Sequence, residues 1–175
     1  PTDELNDVSS CITSPVTLNA GNAGATYTWN TGATTQSIQP TTSGTYTITV
    51  TTAQNCTSIF DAVVDLLPEV QVALGPDTTI CAGSSITLDA GNPGLSHMWS
   101  TGATSSTINA TSAGLYSVTV SNGACRATDQ RALSVQALPV DILTDGARCT
   151  GESITLDAGN DGAAYAWNNG AASRT

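Results

Sequence analysis

The sequence predicts an all-β fold: tandem antiparallel β-sandwiches of about 70 residues each. Three observations carry this prediction. One block of sequence recurs three times in a constant register, the composition favours strands and turns over helices, and turn signals fall about every ten residues.

The repeat is anchored by three tryptophans. Trp29, Trp99 and Trp167 lie 70 and 68 residues apart, and each is followed three residues later by Gly-Ala. Upstream, Val16-Thr17-Leu18-Asn19-Ala20-Gly21-Asn22 recurs as Ile86-Thr87-Leu88-Asp89-Ala90-Gly91-Asn92 and as Ile154-Thr155-Leu156-Asp157-Ala158-Gly159-Asn160. Cys11, Cys81 and Cys149 keep the same spacing. Prolines mark the boundaries at Leu67-Pro68-Glu69-Val70 and Leu138-Pro139-Val140-Asp141, giving copies at 1–68, 69–138 and 139–175. The third copy stops soon after its tryptophan, which reads as a window cut from a longer array.

Composition narrows the rest. The 175 residues include 29 threonines and 16 glycines, which suit strands and turns, and no lysine. Fourteen acids against four arginines give a net charge of -10. Phosphate neutralisation needs a basic face, so nucleic acid is excluded as a partner. No apolar run of about 18 residues exists, so no membrane-inserted helix is expected within this segment.

Copy two shows the elements in order. Val70, Val72 and Leu74 alternate in a first strand. Ile86 and Leu88 form a second, ended by the Asp-Ala-Gly-Asn turn. His97 and Trp99 share one face of a third, and a short fourth surrounds Ile108. Gly114–Val120 is the clearest strand, with Tyr116, Val118 and Val120 on one face. Asn122-Gly123 is a hairpin signal leading to a last strand near 125–136. Copy one has Val16, Leu18, Tyr27, Trp29, Ile38, Tyr46, Ile48 and Val50 in the corresponding places.

A sandwich this small buries a modest core and benefits from covalent staples. Cys11 and Cys56 are 45 residues apart, Cys81 and Cys125 are 44 apart, and one pair falls inside each complete copy. Zinc would need about four clustered ligands, whereas each complete copy offers two cysteines and at most one histidine. Disulfides Cys11–Cys56 and Cys81–Cys125 are therefore expected, each contributing about 4 kcal/mol in the chain-entropy model. They imply an oxidising compartment: the periplasm, the cell surface or the extracellular medium. The partner of Cys149 would lie beyond residue 175.

The string Leu74-Gly75-Pro76-Asp77-Thr78-Thr79-Ile80-Cys81, with Leu88-Asp89-Ala90-Gly91-Asn92, Trp99-Ser100-Thr101-Gly102-Ala103-Thr104 and Gly114-Leu115-Tyr116-Ser117-Val118-Thr119-Val120, carries a family resemblance. It resembles the Ig-like and PKD-like repeats of large secreted or surface proteins of the Bacteroidota, including gliding-type adhesins and type IX secretion substrates. The likeness covers copies one and two, and copy three as far as it runs. Copy one departs at its start, where Leu5-Asn6-Asp7-Val8-Ser9-Ser10 replaces the Gly-Pro-Asp-Thr-Thr-Ile string. The resemblance implies tandem Ig-like sandwiches and carries no catalytic motif. It also implies O-glycosylation of Thr78, because Asp77-Thr78-Thr79 is similar to the acceptor site of those bacteria. Asn55-Cys56-Thr57 and Asn109-Ala110-Thr111 fit the N-glycan sequon, which carries little weight in a bacterial protein.

Each candidate functional residue has a structural reading beside it. Tyr46 and Tyr116 suit core or tyrosine-corner positions better than ligand platforms. The three tryptophans recur on a strand's inward face, which makes them core residues rather than sugar-stacking surfaces. His97 is replaced by Tyr27 and Tyr165 in the other copies, and the adjacent Ser96 points to the opposite face, so no catalytic pair forms. Asp61, Asp65, Glu69 and Asp77 surround the first junction, and Asp129, Asp141, Asp145 and Glu152 the second. Calcium at these junctions would stiffen the array. Solvated acids that keep it soluble are the plainer reading, because no Asp-x-Asp-x-Asp loop is present. No other cofactor is implied.

The expected function is a non-catalytic stalk or filament region of a secreted or surface bacterial protein, semi-rigid because each short linker contains proline. Its partners would be neighbouring repeats, other copies in a filament, and surface glycans or proteins. The alternative is a carbohydrate-binding or spacer module of a secreted glycan-degrading enzyme, which predicts exposed aromatics in a row.

Overall fold

The computed structural model describes residues 1–175, and all of its regular structure is β. The first sandwich comprises β1 (Val8–Cys11), β2 (Leu18–Asn19), β3 (Thr26–Trp29), β4 (Ser37–Ile38), β5 (Gly44–Thr51) and β6 (Thr57–Leu67). The second repeats the order with β7 (Thr78–Cys81), β8 (Ile86–Asp89), β9 (Ser96–Trp99), β10 (Thr107–Ala110), β11 (Gly114–Ser121) and β12 (Arg126–Gln136). In the first, a four-stranded sheet β1-β6-β5-β3 accompanies the pair β2-β4; in the second, β7-β12-β11-β9 accompanies β8-β10.

Alternation decides which face each strand buries. Tyr46, Ile48 and Val50 point inward from β5, and Val118 and Val120 from β11. Trp29 stands opposite Ile48 and Trp99 opposite Val118, so each indole closes the core between the two layers. Two separate clusters result, one around Leu18, Trp29 and Ile48 and one around Leu88, Trp99 and Val120.

Three expectations need correction. Val70–Leu74 is not a ladder strand; the first strand of the second sandwich is Thr78–Cys81. Gly75, with φ of +80°, and Pro76 break the run, and the alternation of Val70, Val72 and Leu74 reflects packing onto the core. Nor is the pairing wholly antiparallel: β1 runs parallel to β6 and β7 parallel to β12.

The third correction concerns the cysteines. Cys11–Cys56 and Cys81–Cys125 do not form. The structure joins Cys11 to Cys125, across 114 residues, and leaves Cys56 and Cys81 as exposed thiols. The parallel register explains this. Cys11 ends β1 opposite Leu67, the last residue of β6, while Cys56 immediately precedes Thr57, the first. An 11-residue strand separates the two, about 30 Å or more, whereas a disulfide needs Cα atoms within about 7 Å. Cys81, opposite Gln136, and Cys125, just before Arg126, are separated by β12 in the same way.

Residues 139–175 keep the turns of the repeat but form no ladder. Tyr165 Oη donates to Gly159 O at 2.7 Å and Trp167 Nε1 to Ser173 O at 2.7 Å. The equivalent bonds in the first sandwich are Tyr27 Oη to Gly21 O at 2.9 Å and Trp29 Nε1 to Thr35 O at 2.8 Å. Leu156 is 43% exposed where Leu18 and Leu88 are 2% exposed. No strand equivalent to β11 or β12 covers it, and a cavity of about 310 Å³ opens beside Ile154, Leu156 and Trp167.

Candidate functional site

The most constructed polar and covalent arrangement in the molecule is the junction between the two sandwiches. Its first half comes from β1 and β6, which end side by side and bring Cys11 next to Leu67, where the linker leaves. Ile12 N–H donates to Leu67 O at 2.9 Å and holds that end closed. Its second half is the β11–β12 hairpin, residues 121–126, where Asn122 Oδ1 accepts from Cys125 N–H at 3.0 Å.

Three contacts join the halves, and a fourth, from Thr13 to Glu69, ties the linker to the first sandwich. Cys11 and Cys125 are bonded, with Cα atoms 5.3 Å apart. Cys125 Sγ lies 3.6 Å from Leu67 O. Asn122 Nδ2 donates to Pro68 O at 2.8 Å, and Thr13 Oγ1 donates to Glu69 Oε1 at 2.7 Å. Cys125 is 3% exposed, so the bond is shielded on one side. Pro68 has no N–H to donate; its carbonyl is taken by Asn122 of the second sandwich, and the next residue, Glu69, by Thr13 of the first, so both sandwiches hold the linker. The sequence had signalled Asn122 only as a hairpin residue; its role in the linker was not legible, because the contact spans 54 residues.

The acids are used one at a time. Asp129 Oδ2 accepts from Leu74 N–H at 2.7 Å, and Asp77 Oδ1 from Ala132 N–H at 2.8 Å. Asp141 accepts from Leu143 N–H at 3.0 Å, and Glu152 from Cys149 N–H at 3.2 Å. The Leu74 amide, and then the Gln130 amide, hold the Asp129 carboxyl below its ordinary range. The Arg174 guanidinium, with the Gly159 amide, does the same for Asp157. No three His, Cys, Asp or Glu side chains converge as a metal site would require.

The remaining candidates occupy structural places. Trp29 and Trp99 are each 2% exposed, with Nε1 bound to Thr35 O and Ser105 O at 2.8 Å. Tyr46 Oη donates to Thr42 O at 2.9 Å and Tyr116 Oη to Ser112 O at 3.0 Å, each four residues back, as a tyrosine corner does. His97 is 7% exposed, and its Nε2 lies 3.0 Å from Gly91 O, the carbonyl matching the one Tyr27 binds. Thr78 is half-buried at the start of β7, beside Leu133 of β12.

No family model matches the chain, and no curated protein matches it. Solved structures do. Extracellular domains 3–5 of Drosophila OTK align with a TM-score of 0.53 at 12% identity, over 75% of this chain and 60% of that one. Immunoglobulin domains 1–5 of Sidekick-1 give 0.48 at 14%, over 75% and 38%. An I-band fragment from titin gives 0.45 at 13%, over 77% and 65%. The chain thus spans about 60% of the OTK fragment. The fold is a tandem array of Ig-like β-sandwiches.

Proposed function

We propose that this chain is a non-catalytic, load-bearing region of a secreted or cell-surface bacterial protein, built from Ig-like repeats at 1–68, 69–138 and 139–175 of a longer array. It works as a semi-rigid stalk or filament body. The observation that carries this reading is the covalent junction: a bond from Cys11 to Cys125, with the Asn122–Pro68 clasp, fixes one sandwich to the next. A site that binds or converts small molecules has no need of such a lock, whereas a spacer that must transmit force does. The extracellular assignment is supported by that disulfide, which persists only in oxidising compartments. The bacterial assignment is supported by the motif resemblance. The longer array is supported by the uncovered Ile154, Leu156 and Trp167 groove, whose counterparts are closed in both complete sandwiches.

Small-angle X-ray scattering of the intact chain tests the spacer reading. An elongated particle is expected, unchanged by ionic strength, which becomes more flexible in the Cys11→Ser variant. A compact particle, or one equally flexible with the bond intact, refutes a stiff spacer. O-glycosylation of Thr78 is a separate part of the proposal, checked by the mass of the peptide containing Asp77-Thr78-Thr79 from natively secreted protein.

A further inference from the structure

Cys11 and Cys81 occupy the same place in successive sandwiches. Each ends the first strand opposite the last residue of the long strand, Leu67 for one and Gln136 for the other. The next amide binds that residue's carbonyl in both, Ile12 N–H at 2.9 Å and Ala82 N–H at 2.8 Å. A turn follows in both, Ser14 N–H to Cys11 O and Ser84 N–H to Cys81 O. Cys56 and Cys125 are likewise equivalent, each closing the turn before the long strand through Thr52 N–H to Cys56 O and Asn122 N–H to Cys125 O. Yet Cys11 and Cys125 are bonded, while Cys81 and Cys56 are exposed thiols. Each complete sandwich therefore carries one cysteine of the bonding type at either end of its long strand, and only the pair facing the shared junction is joined.

We propose that Cys11–Cys125 is one link of a continuous disulfide ladder. Cys81 bonds forward to the cysteine before the long strand of the next repeat, and Cys56 bonds back to the cysteine ending the first strand of the preceding repeat. This rests on the reading of the chain as part of a longer array. Each link forms by thiol–disulfide exchange: two thiols lose two protons and two electrons, and a disulfide oxidant is reduced to two thiols. Every internal repeat is then tied to both neighbours, and none carries a bond within itself. The shortest covalent path along the array runs from sulfur to sulfur through each sandwich and bypasses the proline linkers.

Peptide mapping of the oxidised protein tests the ladder. The 175-residue chain, alkylated with iodoacetamide without prior reduction, should carry label on Cys56, Cys81 and Cys149 and one bond, Cys11–Cys125. A Cys11–Cys56 or Cys81–Cys125 bond overturns the proposal outright. The chain is then extended after Thr175 with a copy of residues 108–138, which completes the third repeat and supplies one further cysteine. After oxidation with glutathione disulfide, the added cysteine should bond to Cys81, leaving Cys56 and Cys149 labelled. Cys81→Ser should free the added cysteine, and Cys149→Ser should leave its bond unchanged. An added cysteine that bonds Cys149, or stays free while Trp167 fluorescence reports a closed core, refutes the ladder but not the array. A Trp167 that stays only half-buried in the extended chain, as it is in the 175-residue one, refutes the array reading, and the ladder with it.

Discussion

Asn22, Asn92 and Asn160 adopt left-handed backbone, with φ of 50°, 52° and 54°, in the three Asn/Asp-Ala-Gly-Asn turns. Asparagine tolerates this region better than other side chains with a Cβ, because its amide bonds locally. Here that amide does more. Asn92 Nδ2 donates to Ala90 O at 2.9 Å and to Gln71 O at 2.7 Å, so one residue closes its own turn and ties down the start of its repeat. Asn22 makes the same pair with Ala20 O and Thr2 O. Asn92→Ala combines strained backbone with two lost bonds and should cost about 2 kcal/mol in urea unfolding. Asn92→Gly, which relieves the strain, should cost less; equal losses would show that the strain is unimportant. His97 stands where Tyr27 binds Gly21 O and Asn22 O. His97→Tyr should therefore be tolerated, staying within about 1 kcal/mol of the parent in the same assay. A larger loss would give the imidazole a role that its position does not suggest.

At the scale of elements, the segment before β7 shows how a side chain can replace a ladder. Val70–Leu74 has the alternation of a strand but pairs with none. Its end is pinned by Asp129 and Arg131 of β12, which take Leu74 N–H and Leu74 O, the latter at 3.0 Å. The folded state holds the Asp129 carboxyl below its ordinary range, and the unfolded chain does not. As pH falls the unfolded state therefore takes up the proton first. This stabilisation is complete above the ordinary carboxylate range and is lost as pH falls through it toward the folded value. Hydrogen exchange at the Leu74 amide should accelerate, relative to its intrinsic rate, as pH is lowered below about 4. Asp129→Asn should remove that pH dependence and cost about 1 kcal/mol near neutrality. An unchanged pH profile in the variant would assign the effect to another group.

For the whole molecule, the disulfide sets how far the chain can be drawn out. With Cys11 joined to Cys125, residues 12–124 lie inside a closed loop. The fully extended path then comprises residues 1–11 and 125–175, about 220 Å, against about 600 Å for the reduced chain. Bonds within each repeat would give an intermediate length. Single-molecule stretching from the two termini, with and without dithiothreitol, separates these cases. Closing a loop of 114 residues contributes about 5 kcal/mol in the chain-entropy model. Cys125→Ser should accordingly lower the stability of both sandwiches together, read as a joint fall in the thermal transition. A fall confined to the second sandwich would mean that the junction does not couple them.

The sequence by itself determined the repeat, the all-β class, and the inward places of Trp29, Trp99, Tyr46 and Tyr116, because hydrophobic period and turn chemistry act over a few residues. It also singled out Cys11, Cys56, Cys81 and Cys125 as expected staples, of which the structure bonds only Cys11 and Cys125. It could not assign their partners, since a bond within each repeat and a bond to the next have the same period along the chain. Only the tertiary structure decided between them. The parallel pairing of β1 with β6 sends Cys11 to the end of the sandwich opposite Cys56, and the clasp of Asn122 on Pro68 brings Cys125 there to meet it.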